Sequence, residues 1–226
     1  MEVDKFTSHT RGFIKIQDGC NNYCSYCIIP YVRGNIRSKD IDVALKEAKE
    51  LVANNHKEIV LTGIHTGSYG VGYDFDLVDL INKMSTIPGL KRIRLSSIEI
   101  TELNDKFMEL LKNNAILCDH LHIPLQSGSE KILKLMNRKY DKARYESIIN
   151  QIRAIRPEIS ITTDVIVGFP GETESDFNEC LDFCKKMQYA KIHVFPYSKR
   201  EGTKAASMPN QLDNKTKKDR ARKLIE

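Results

Sequence analysis

The chain has no apolar run long enough to cross a bilayer, and its opening stretch MEVDKFTSHT lacks the apolar segment of a secretory leader. The expectation is a cytoplasmic protein with no membrane partner, in a compartment where thiols stay reduced. No internal repeat and no low-complexity segment appears, which excludes solenoids and linker arrays. Also missing is a second pair of closely spaced cysteines. Only Cys24 and Cys27 form a C-x2-C pair, whereas a structural zinc site asks for four ligands.

What is present is an ordinary globular composition. The 226 residues are 41% hydrophobic and 29% charged, enough to bury a full core. The net charge of +5 is unevenly placed. Residues 1–198 hold 26 basic and 26 acidic side chains, while in residues 199–226 nine Lys or Arg face four acids. A basic tail on a neutral body fits contact with a polyanion such as nucleic acid, or a merely solvated helix. The chain divides accordingly into a body over 1–198 and a basic linker or helix over 199–226.

Short β-branched runs alternate with helical patterns every thirty to forty residues. The runs are GFIKIQ (12–17), EIVLTG (58–63), RIRLSS (92–97), HLHIPLQ (120–126), SITTDVIVG (160–168) and KIHVFPYS (191–198). Helical spacing follows Asp40 (Ile41, Ala44, Leu45, Ala48, Leu51, Val52), Asn104 (Phe107, Leu110, Leu111) and Thr173 (Phe177, Cys180, Leu181, Cys184). It also links Tyr145, Ile148, Ile149, Ile152 and Ile155, ahead of Pro157. Six strand–helix units predict an α/β fold, a partial (β/α)6 TIM-like barrel of parallel strands with outer helices. Ligands gather at the strand ends of such folds. Cys20, Gly63, Ser97, Gln126 and Gly168 all fall there.

The stretch CNNYCSYC carries Cys20, Cys24 and Cys27 in C-x3-C-x2-C spacing. Three thiolates from one loop leave one iron of a [4Fe–4S] cube without a protein ligand. An open iron can take a substrate or cofactor, as an open zinc position does. The other cysteines do not extend this site. Cys180 and Cys184 lie i, i+4 on a face with Phe177 and Leu181, as small core residues. His120 and His122 point to one side of a strand, where packing or hydrogen bonding competes with metal binding. Gly168 and Gly171 leave backbone room for a ligand or form a tight turn. Asp164, in the strand before them, can accept hydrogen bonds from a ribose.

With Tyr26 immediately before Cys27, the loop resembles the hallmark C-x3-C-x-aromatic-C of the radical S-adenosylmethionine (SAM) superfamily. The resemblance implies that Cys20, Cys24 and Cys27 hold the cluster, and that SAM binds the open iron and is cleaved to a 5′-deoxyadenosyl radical. It also implies cofactor contacts: Thr62 and Gly63 of LTGIHTG at the amino group, Asp164 and Ile166 at ribose and adenine. Gln126 of PLQSGS and Arg138 of MNRKY look like the ribose and carboxylate contacts. An arginine fork suits a carboxylate.

KIQDGCNNYCSYCIIPYVRG, HLHIPLQSGS, DVIVGFPGETESDF and HVFPYSKREGTKAASM resemble the methylthiotransferases. LTGIHTGSYG (61–70) and RIRLSSIE (92–99) are similar to those acting at C2 of N6-threonylcarbamoyladenosine in tRNA. The alternatives are the isopentenyladenosine and ribosomal-protein enzymes or, in another class, a zinc-stabilised RNA-binding module. The resemblance further implies a second, auxiliary [4Fe–4S] cluster in an N-terminal domain and an RNA-binding C-terminal domain, neither found in this sequence. The implied partners are a tRNA anticodon stem-loop and an electron donor such as flavodoxin or ferredoxin. Arg33, Arg37 and the 199–226 tail are the candidate RNA contacts.

Overall fold

Alternation of apolar and polar residues along the strands determines which face meets the helices. In the computed structural model, which describes residues 10–225, Ser160–Val167 (β7) buries Ile161, Thr163, Val165 and Val167 and leaves the intervening residues half-exposed. The first nine residues, on which the reading of a leader mostly rests, and Glu226 lie outside the described residues. Among the described residues, no helix is long and apolar enough to cross a membrane.

Eight strands occur in chain order: β1 Arg11–Lys15, β2 Gln17–Asp18, β3 Arg37–Ser38, β4 Glu58–Thr62, β5 Arg92–Leu95, β6 His120–His122, β7 and β8 Lys191–Pro196. The helices are α1 Ile29–Arg33, α2 Ile41–Ala53, α3 Leu77–Ser85, α4 Asp105–Asn113, α5 Glu130–Leu135, α6 Lys142–Ile155, α7 Glu174–Met187 and α8 Asn214–Ile225. Strands β1, β4 and β5 form one parallel sheet, and β6, β7 and β8 another. The two meet where Ile93 N–H donates to Ile116 O at 2.7 Å and Cys118 N–H donates to Ile93 O at 2.9 Å. The six parallel strands therefore follow one another in sequence order with helices on one face. This is the partial (β/α)6 barrel.

The expected helices form where their caps place them. Asp40 accepts from the backbone of Asp42 and Val43, Asn104 from Phe107, and Thr173 and Asp176 make a reciprocal capping box. Their apolar faces, with Leu51, Phe107, Ile149 and Phe177 fully buried, join one continuous core. Each such side chain contributes about 2 kcal/mol on leaving water. Cys180 and Cys184 belong to that core, in keeping with their helical spacing, and the Cys180 sulfur accepts a hydrogen bond from Gly128 N–H.

Strand β6 is shorter than the run 120–126 promised. Pro124 has no N–H to give a ladder, and the pairing resumes at Gln126, which bridges Val165. The antiparallel pair β2–β3 was not expected. It joins Gln17 to Ser38 and Asp18 to Arg37, closing residues 19–36 into a loop at the end of β1.

Beyond residue 198 the chain stays on the barrel. Arg220 of α8, only 6% exposed, pairs with buried Glu172 and lies over the Phe177 ring. Lys217 covers the Tyr197 ring. Gly168, with φ +71°, has the space of a side chain already taken by Lys217 Cγ, 2.5 Å from where a Cβ would stand. Its room serves the packing of α8.

Candidate active site: a three-cysteine loop held by both halves of the barrel

The loop between β2 and β3 presents Cys20, Cys24 and Cys27 as free, half-buried thiols. Its shape is set by backbone. Gly19 adopts φ +74°, and a Cβ there would lie 2.0 Å from the Asn35 carbonyl oxygen, so no other residue fits. Cys20 N–H donates to Gly34 O at 3.1 Å, and Cys27 N–H to Cys24 O at 2.9 Å. The second half of the barrel grips the same loop. Ser25 N–H donates to Met136 O at 3.0 Å, Ser25 Oγ to Leu135 O at 2.7 Å, and Asn137 Nδ2 to Tyr23 O at 2.9 Å. From beyond β8, Ala205 N–H donates to Ser25 O at 2.7 Å. Tyr26 is packed into a small apolar cluster with Phe169, Ile132, Met136, Tyr197 and Ala205.

Gln17 locks this loop to the one after β4. Its amide donates to the carbonyls of Asp18 (2.9 Å) and Gly19 (2.7 Å) and accepts from His65 N–H at 2.7 Å. A Cβ on Gly63 would approach the Gln17 Oε1 to 2.9 Å, so the two segments touch at van der Waals limits. Thr62 donates its hydroxyl to Ile14 O. His65 is buried, with Nε2 2.7 Å from Glu102 and Nδ1 2.8 Å from Ser68 Oγ. Burial alone would depress its pKa, but hydrogen bonds to Cys20 and Glu102 lift it to about 10. The imidazolium therefore sits beside the first cysteine.

On the sheet face turned from the helices, Asp164 and Ile166 stand in line along β7, and Gln126 joins them through its backbone to Asp164 O and from Ile166 N–H. Gln126 holds a left-handed φ of 68°. Asp164 is not alone: its carboxylate lies 3.2 Å from His122 Nε2. His120 and His122 both reach Thr162 Oγ1, at 3.2 and 2.9 Å, which is the hydrogen-bonding reading of the pair.

Arg138, for which the resemblance implied a carboxylate contact, reaches the cysteine loop. Its side chain is only 4% exposed and is ion-paired with Glu99. Nη1 lies 3.1 Å from the Cys24 sulfur and 3.4 Å from the Tyr26 hydroxyl, and Nε donates to Tyr140 Oη at 3.2 Å. A guanidinium so committed has partners inside the protein on every nitrogen. Glu99, Tyr140, Gln17 and His65 escaped the sequence reading as side chains of the site. For Gln17, His65 and Glu99 the only signal was position, each lying within a few residues of a strand end, and Tyr140, in the turn between α5 and α6, carried none.

The donor set fits an iron–sulfur cube. Three free thiols share one loop, the donor type that such clusters take. The Radical SAM superfamily model matches residues 14–184. This chain belongs to the radical SAM superfamily. Among curated relatives it is 47% identical, over its whole length and 50% of the relative, to the threonylcarbamoyladenosine tRNA methylthiotransferase MtaB of Bacillus subtilis (strain 168). It is 44% identical to a tRNA-2-methylthio-N(6)-dimethylallyladenosine synthase of Alkaliphilus oremlandii (strain OhILAs), across 96% of this chain and 46% of that one. The chain thus spans about half the length of the curated relatives it matches. Its fold is shared with the radical SAM methyltransferase TsrM of Kitasatospora setae (TM-score 0.67, 18% identity, 86% of this chain and 38% of that one). Methylornithine synthase is similar too, at TM-score 0.65 and 14% identity over 95% of this chain and 61% of that one.

Proposed function

We infer that this chain is the radical-generating part of a tRNA methylthiotransferase. The observation that carries the reading is the three-thiol loop, fixed at the strand ends by hydrogen bonds from both halves of the barrel. In this reading Cys20, Cys24 and Cys27 ligate a [4Fe–4S] cluster. When bound, that cluster supplies the electron for reductive cleavage of SAM. The protein's own work is to bind, orient and exclude water. Thr62 and Gly63 form the wall of the cofactor site at the end of β4. Asp164, Ile166 and Gln126 line it at the ends of β6 and β7, with His122 holding the Asp164 carboxylate in place. Tyr26 packs the loop against Phe169 and keeps solvent from below it.

The substrate proposed is adenosine carrying the N6-threonylcarbamoyl group in a tRNA anticodon stem-loop, supported by the likeness to the Bacillus subtilis relative. The isopentenyl-type substrate is the second reading, supported by the relative from Alkaliphilus oremlandii. Local charge suits an RNA. Lys15, Arg33 and Arg37 share the single carboxylate of Asp18, leaving a positive surplus at the base of the loop. Tyr31, two residues before Arg33, lines an open pocket of about 880 Å³ together with Lys199, Glu201, Thr203 and Lys204. Phosphate contacts of this kind predict affinity that falls steeply with salt. An electron donor such as flavodoxin or ferredoxin, a cytoplasmic location, and an auxiliary cluster held outside this chain complete the proposal.

The test is 5′-deoxyadenosine production by the anaerobically reconstituted chain under dithionite, with Cys24→Ala as control. Product from the native chain only supports the reading. Equal product from both removes it. Adding stem-loops with threonylcarbamoyl or isopentenyl adenosine, and asking which accelerates SAM cleavage, separates the two substrates.

A further inference from the structure

We propose that Arg138 is a hydrogen-bond donor to the Cys24 sulfur that sets the electron affinity of the bound cluster, with Glu99 as its positioning residue. The proposal rests on the cluster reading above. Arg138 lies just past α5, more than a hundred residues from Cys24, yet its Nη1 is 3.1 Å from that sulfur. An arginine this deep would be costly without partners. Here Glu99 neutralises it, Tyr140 accepts from Nε, and the Tyr140 ring lies under the guanidinium with its centroid 5.1 Å from Cζ. Tyr140 is itself anchored, donating to Leu125 O at 2.7 Å. The fork is therefore aimed at Cys24 by two residues, Glu99 and Tyr140, and Asn137 next to it already clamps the loop through Tyr23 O.

The physical consequence has a sign. Hydrogen bonds and positive charge near a cluster sulfur favour the form with one more electron and raise the potential. The step involved is one electron from dithionite taking the cluster from the 2+ to the 1+ state, with no proton moved and no bond broken. Because Glu99 balances the charge, Arg138 acts chiefly through its N–H. Removing the donor and removing the counter-charge must then shift the potential in opposite directions. A role confined to folding does not produce that pattern.

The experiment is an anaerobic dithionite titration of the reconstituted chain, read by electron paramagnetic resonance of the reduced cluster, for native, Arg138→Met, Arg138→Lys and Glu99→Gln proteins of matched iron content. Arg138→Met is expected to bind the electron at least tenfold more weakly, a fall of about 59 mV. Glu99→Gln, nearly isosteric, leaves a buried cation beside Cys24 and is expected to raise the potential. Arg138→Lys, with one donor and no fork, should fall between Arg138→Met and native. If Arg138→Met does not fold, Glu99→Gln decides alone: a raised potential supports the proposal, an unchanged or lowered one overturns it. Unchanged potentials in all variants that load iron also overturn it. A native chain that takes up no cluster would instead defeat the reading on which it rests.

Discussion

The two halves of the barrel solve the same problem with different chemistry. In the first, β1, β4 and β5 turn charge toward the face away from the helices. Arg11, Arg92 and Arg94 converge on Glu58, at 3.0, 2.7 and 2.8 Å. In the second, the corresponding face carries His120, His122, Thr162 and Asp164 in a chain of hydrogen bonds, and strongly engaged carboxylates such as Asp176 and Glu172 lie away from that face, toward the outer helices. The first half contributes the thiols; the second contributes most of the groups that grip them. The site exists only where the halves face each other, so neither half folded alone would assemble it.

Glu58→Ala should have the largest effect on stability. Losing a carboxylate that is 5% exposed leaves three arginines together, at a cost of about 3 kcal/mol, seen as a lowered denaturant midpoint. An equally stable variant would show that the first half does not depend on its charge cluster. Next is Asp176 in the second half. Burial would raise its pKa, but hydrogen bonds from Lys131 and Thr173 win and hold it at about 2. A depressed folded pKa contributes stability above the unfolded value near 4, lost as pH falls toward about 2. Asp176→Asn should therefore cost about 1–2 kcal/mol at pH 7, with the gap to native closing as the pH is taken down through that window. A difference independent of pH would contradict the assignment.

Ser25→Ala removes one rung between the halves, the bond to Leu135 O, and should cost about 1 kcal/mol. Its sharper signature is faster loss of iron from the reconstituted loop on exposure to a chelator. Smallest is His122→Gln, which should change stability by under about 0.5 kcal/mol yet weaken SAM binding, measured by equilibrium dialysis, because Asp164 loses its orienting partner. Unaltered SAM affinity would remove Asp164 from the cofactor site.

The legible parts were those written in local pattern. Periodicity placed α2, α4, α6 and α7, and Asp40, Asn104 and Thr173 were legible as caps of three of them, because each sits within three residues of the N–H it serves. Five of the six strand runs extend about as expected, and the three cysteines singled out by their spacing and strand-end position do lie on one loop. What stayed hidden depends on contacts between residues far apart in sequence. Nothing around Arg138 announces Cys24, and Glu172 gives no hint of Arg220, which belongs to a stretch that read as either a polyanion contact or a solvated helix. Gly168 was legible as a special backbone position, but not that Lys217 fills the space it leaves. Short strands such as β2 and β3 carry too few residues for any period to register.

Gln17 has one more consequence. The residue is 2% exposed, and both protons and the oxygen of its side-chain amide are spent on the cysteine loop and the loop after β4. Such an NH2 group gives a pair of nuclear magnetic resonance signals set apart from those of solvated glutamines and slow to exchange with deuterium. The molecule thus carries its own gauge of readiness. Those two resonances would report, in the metal-free chain, whether the thiol loop already holds its final register or acquires it only on loading.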